Sequence, residues 1–170
     1  MEYTVKVDIE GTVRYYKPGT DVLHREDGPA TVHANGEERW FIDGKMHRED
    51  GPAFINSNGY EAWYKKGSWH REDGPARVWP DGSQQWWIDG ELHREDGPAI
   101  VRVGIDERWY IDGKLHREDG PAIEYVTGTK IWYIDGKRLN EEEFKNRTKE
   151  SKVCTFTVPM NTTQIRIQLE

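Results

Sequence analysis

With 170 residues, 35% of them hydrophobic and 32% charged, the chain can fill one domain only around a thin core. That suits a single sheet or a solenoid better than a compact globule. A formal charge of −7 works against a large phosphate-backbone interface, so extended nucleic acid is not an expected partner.

The opening stretch MEYTVKVDIEG has charges within its first ten residues and no apolar run of the kind a signal peptide needs. No later run approaches the ~18 apolar residues of a membrane helix. The single cysteine, Cys154, leaves no internal disulfide and fits a reducing compartment. The expected location is therefore the cytoplasm, without membrane contact. YTVKVDI alternates and reads as a strand. With the diverged first unit EGTVRYYKPGTDVLHREDG it makes up residues 1–28.

Residues 29–136 are an array with a 23-residue period. The first full unit, PATVHANGEERWFIDGKMHREDG, spans 29–51. The second covers 52–74, the third 75–97 and the fourth 98–120. A truncated fifth, PAIEYVTGTKIWYIDG, covers 121–136. All seventeen glycines fall on three positions of this lattice, which predicts left-handed turn conformations at each of them. Asn35-Gly36, Asn58-Gly59 and Asp81-Gly82 are the pairs favoured by type I′ hairpin turns.

Between the turns lie short runs rich in Val, Ile, Trp and Tyr, the composition of strands. Alternation puts Trp40 and Ile42 on one face of the second strand and Phe41 on the other, and later units repeat this. No unit can bury its own apolar face, so neighbours must complete it. The expected fold is all-β, an elongated, twisted meander or solenoid of about six stacked hairpins. In it the Trp, Ile and Tyr or Phe side chains form ladders. Residues 137–170 are the expected C-terminal cap. Asn140 and Glu143 form a capping-box pattern ahead of a helix at about 141–151. VCTFTVP and TQIRIQL suggest a closing hairpin at about 153–169.

HREDGPA recurs without substitution at 24–30, 47–53, 70–76, 93–99 and 116–122. His47, Arg48, Glu49 and Asp50 are raw material for acid–base or metal chemistry. Five identical copies, however, supply one environment repeatedly, whereas acid–base catalysis needs environments that separate pKa values. Equivalent histidines two strands apart are about 10 Å from one another, too far to share a zinc ion at about 2 Å per ligand. The alternative is a structural joint: Asp50-Gly51 turns the chain, Pro52 fixes φ for the next strand, and Arg48 pairs with Glu or Asp. No catalytic residue, cofactor or metal is expected.

The units resemble a MORN-like repeat, roughly G-x-W-Y-I-D-G-K-L-H-R-E-D-G-P-A, found in proteins of bacteriophages and large DNA viruses. Trp109–Ala122 matches that pattern throughout, and Gly136–Phe144 resembles the G-K-x-L-x-E-E-E-F segment that often ends such arrays. The resemblance covers residues 10–144. It implies a β-hairpin array and a viral origin, and carries over no catalytic residues.

Function is then expected at positions that vary between copies. Lys65, Lys66, Trp69 and Trp79 break the pattern of their units, and with Trp87 they mark a candidate patch on the middle hairpins. Large aromatics outside a core are typical anchors of protein interfaces. The expected function is a non-enzymatic protein-binding module. The viral resemblance makes the partner a host factor and inhibition of a host defence protein the expected use. Two alternatives stand beside it: sequestration of a small signalling nucleotide, and a structural role in a virion. Open sheet edges also allow a homodimer.

Overall fold

Strand-forming runs this short cannot stand alone, and in the computed structural model, which describes residues 2–150, they pair with one another along the whole chain. The main sheet has thirteen antiparallel strands, from Thr4–Val7 to Lys137–Leu139, ordered as they occur in the chain. Six consecutive hairpins supply twelve of them, as the repeat count predicts. The predicted closing hairpin and Cys154 lie outside the described residues. Among the described residues no helix is long and apolar enough to cross a membrane.

The aromatic strand of each full unit is broken in two, which alternation alone does not anticipate. Glu38–Arg39 stays in the main sheet, while Phe41–Ile42 turns away and pairs with Lys45–Met46 in a small hairpin of its own. Tyr64–Lys65, Trp87–Ile88 and Tyr110–Ile111 do the same in the next three units. The break falls at the tryptophan. Trp40 N–H donates sideways to the Ala53 carbonyl of the following unit, and its own carbonyl accepts from His47. The fifth unit has no following unit to hold Trp132, and there Lys130–Ile134 is one unbroken strand.

Two hairpin turns alternate, and their chemistry differs from the expectation. The type I′ conformation, with two successive left-handed residues, belongs to Asp43-Gly44, Lys66-Gly67, Asp89-Gly90, Asp112-Gly113 and Asp135-Gly136. At Asn35-Gly36, Asn58-Gly59 and Asp81-Gly82 only the glycine has positive φ. These are three-residue loops in which Gly36 N–H returns to the His33 carbonyl and Asn35 Oδ1 accepts from Glu37 N–H. The glycines of HREDGPA do not have positive φ at all.

The core is a ladder of small side chains. Ala30, Ala53, Ala76, Ala99 and Ala122 are fully buried, joined by Ala62, Ile100, Ile123 and Ile134. The tryptophans, expected as the core, are only half-buried, because a sheet one layer thick leaves one side of each ring at the surface. Helix α1 (Glu141–Glu150) closes the array with Phe144 buried. Its capping box forms as predicted: Asn140 Oδ1 accepts from Glu143 N–H at 2.9 Å, and Glu143 returns the contact to Asn140 N–H at 2.8 Å.

Register sorts the main sheet into two unlike faces, since residues directly opposite in antiparallel strands share a side. One row runs Arg14, Thr31, Arg39, Phe54, Ala62, Arg77, Gln85, Ile100 and Arg108. The row behind it holds Val32, Glu38, Ile55, Glu61, Val78, Gln84, Val101, Glu107 and Glu124. We call these the arginine face and the glutamate face.

Candidate functional site

Each HRED arm is built around its arginine. The guanidinium of Arg48 lies 4.3 Å from the Trp40 ring, its Nε donates to Asp50 at 2.8 Å, and Nη1 donates to the Pro52 carbonyl at 3.4 Å. Arg71, Arg94 and Arg117 repeat all three contacts in their own units, and Arg25 does so with Tyr15 in place of the tryptophan. A Cβ on Gly51 would stand 2.9 Å from Arg48 Cζ. The glycine of HREDGPA is therefore needed for the arginine's room, not for a left-handed turn. The Arg hydrogen bond holds the carboxyls of Asp27, Asp50, Asp73 and Asp96 below the usual range.

The histidine joins one unit to the next. Nδ1 of His24, His47, His70, His93 and His116 takes the amide N–H of the left-handed residue in the following small hairpin, at 3.1–3.3 Å. At four joints that residue is an aspartate whose carboxylate also lies 2.8–3.0 Å from Nδ1. At His47 it is Lys66. The His, Arg, Asp, Gly and Pro of the motif thus hold contacts within the array and its Ala is buried, while Glu49, Glu95 and Glu118 remain out in solvent. Among the described residues no three of His, Cys, Asp and Glu are disposed to share a metal ion.

Grooves separate consecutive arms. The one between the second and third arms has a volume of about 580 Å³ and is lined by His47, Trp63, Lys65, His70, Arg71 and Glu72 among others. Lys65, which stands where other units have isoleucine, reaches Glu72 across it at 3.7 Å. Its equivalents hold Trp40 with Ile42, Trp86 with Ile88, and Trp109 with Ile111.

The other predicted site residues gather elsewhere. Trp69 and Trp79, from different units, lie 4.5 and 4.6 Å from the same guanidinium, that of Arg77 on the arginine face. Trp87 is 4.8 Å from Trp69, and Tyr64 is 5.9 Å from it. Tyr60 is 5.2 Å from Trp79 and Phe54 is 5.6 Å from Tyr60. Arg77 donates from Nε to the Tyr60 hydroxyl at 2.8 Å and from Nη1 to Gln85 Oε1 at 3.0 Å. Gln85 Oε1 also accepts from the Trp87 indole at 3.1 Å. Burial pushes the Tyr64 phenol up, with the Trp69 indole beside it working the other way. The fold therefore unites Trp69, Trp79 and Trp87, turns Lys65 toward the arm side, and leaves Lys66 at a hairpin turn.

The centre of this cluster, Arg77, was not among the predicted residues, though the sequence carried a signal. It stands where other units have Thr31, Phe54, Ile100 and Ile123. A neighbouring position explains its surroundings. Units one and four place a carboxylate two residues before the arginine of the second strand: Glu37 with Arg39, and Asp106 with Arg108. Units two and three have Tyr60 and Ser83 there, so Arg77 meets a phenol in place of an acid. Asp106 is fully buried and is shared by Arg102 and Arg108. Burial raises its carboxyl, but the hydrogen bonds of the two arginines outweigh this and keep it below the usual range.

No protein-family model matches the chain, and a search of curated proteins finds no match.

Proposed function

We propose that this chain is a non-catalytic, MORN-like repeat protein that binds another protein through the aromatic surface of its second and third units. The observation that carries this is the placing of Trp69 and Trp79. The two tryptophans that depart from the repeat, one in the second unit and one in the third, flank one arginine on one face. Trp, Tyr and Arg in a half-buried cluster have the composition of interface hot spots, because they offer large area and directed polar groups at low entropic cost. Side chains that only stiffened the array would be expected to repeat with it. The resemblance to phage and large-virus repeats makes the partner a host protein, and inhibition of a defence protein the use of such binding.

A sequestered nucleotide is less well supported, since Trp69 and Trp79 each turn a ring face to Arg77, where a base would need it free. The test compares wild type, Trp69→Ala/Trp79→Ala and His47→Ala as affinity baits at physiological salt, with each fold checked by circular dichroism. A protein retained stoichiometrically by wild type and His47→Ala, and lost from the double variant, is the expected result. Equal retention by all three would remove the patch from the mechanism, and loss with His47→Ala alone would return attention to the arms.

A further inference from the structure

Half-buried arginines are common in this fold, and among the described residues all but one have a carboxylate partner. The exception is Arg77. Its charge is held by the Trp69 and Trp79 rings, the Tyr60 hydroxyl and Gln85, and Nη2 has no acceptor among the described residues. Ring faces compensate a guanidinium only in part. A carboxylate forms the shorter and stronger charge-assisted bond.

The surroundings carry the same sign. Asp106 alone answers both Arg102 and Arg108, which leaves that buried group with one positive charge in excess. The register row through Arg77 contains arginines and no acid from Arg14 to Arg108; Asp8 and Glu37 answer Arg14 and Arg39, so the excess positive charge sits at Arg77 and at the Asp106 group. The row behind it contains Glu38, Glu61, Glu107 and Glu124. The acidic arms belong to that rear side, where Arg117 reaches Glu124 at 2.7 Å. A protein of net charge −7 thus keeps one aromatic face cationic, and complementary potential is what selects and steers a partner to such a face.

We propose that the arginine face docks an acidic segment of a protein partner, and that one carboxylate of this segment pairs with Arg77 at Nη2. This rests on the protein-binding function proposed above and names the chemistry of the partner. A single free nitrogen in a fixed aromatic frame suits one carboxylate, whereas a phosphate dianion calls for several converging donors. The rings around Arg77 hold the guanidinium in place before the partner arrives, which lowers the entropic cost of the contact.

The test uses a random peptide library displayed on phage, panned at physiological salt against the full chain and against Arg77→Met, Arg77→Lys and Trp69→Ala/Trp79→Ala. Peptides selected by wild type are expected to be rich in Asp and Glu. They should bind Arg77→Met about tenfold or more weakly, and Arg77→Lys in between. Thermal melting of Arg77→Met checks its fold, and the lysine variant keeps the comparison valid if the methionine variant unfolds. Enrichment of neutral or basic peptides, or unchanged binding by both Arg77 variants, would overturn the acidic partner and leave the protein-binding function standing. No enrichment over the double tryptophan variant would overturn both. Displacement of the selected peptides by inorganic phosphate or ATP at micromolar concentration would reassign Arg77 to phosphate and overturn the carboxylate.

Discussion

Asp106 shows how a single side chain can decide the local structure of a repeat. It is the one large polar side chain fully enclosed among the described residues, and an ionised carboxylate there is tolerated only because Arg102 and Arg108 both donate to it. Replacing it with asparagine leaves two guanidinium groups without a counter-charge and turns one of their two acceptor oxygens into a donor. Asp106→Asn should cost about 2–4 kcal/mol in urea unfolding. Since the folded carboxyl titrates below its unfolded value of 3.8, its contribution is complete above that pH. It is lost as pH falls through the lower folded value. Wild type should therefore lose stability relative to Asp106→Asn in acid below about pH 4, and unfolding midpoints with no convergence there would contradict the assignment. Of this, the Glu37–Arg39 and Asp106–Arg108 spacing was visible in the sequence, but enclosure was not. Burial is set by strands from neighbouring units, which no local pattern reports.

The small hairpins are where elements meet, and the His-to-turn hydrogen bond is their clasp. In four joints an aspartate occupies the left-handed position; in the second unit it is Lys66, with φ of 54°. A long β-methylene side chain is less at ease in that region than aspartate, whose short polar group hydrogen-bonds locally. Lys66→Asp should restore the His–carboxylate contact seen at 2.8–3.0 Å elsewhere and stabilise the protein by roughly 0.5–1 kcal/mol, read as a higher melting temperature. A lower melting temperature would show that the joint is already satisfied. The Asp-Gly pairs themselves were legible as turns. Their type was not, because type I′ and three-residue loops use nearly the same letters, and the choice depends on which strand partners lie on either side. The break at Trp40 has the same origin, since its amide is claimed by Ala53 of the next unit.

At the scale of the molecule, contacts run from each unit to its neighbours, as expected for a linear array. Excising the fourth unit, residues 98–120, joins Gly97 to Pro121 in the native HREDG-PA sequence. The shortened chain should fold cooperatively, with the denaturant slope of unfolding reduced by roughly a sixth. Loss of cooperative unfolding would show that the array is more than the sum of adjacent pairs. What the sequence determined by itself is what repetition and alternation can encode: the all-β hairpin meander, its period and its capping helix. Those properties are local or recur at fixed spacing, so they can be read along one strand at a time. What only the tertiary structure decided is the contrast between the two faces and the meeting of Trp69 with Trp79 across Arg77. Side-chain direction within a strand is fixed by alternation, but which directions coincide is fixed by register between strands, and register is a property of the paired sheet.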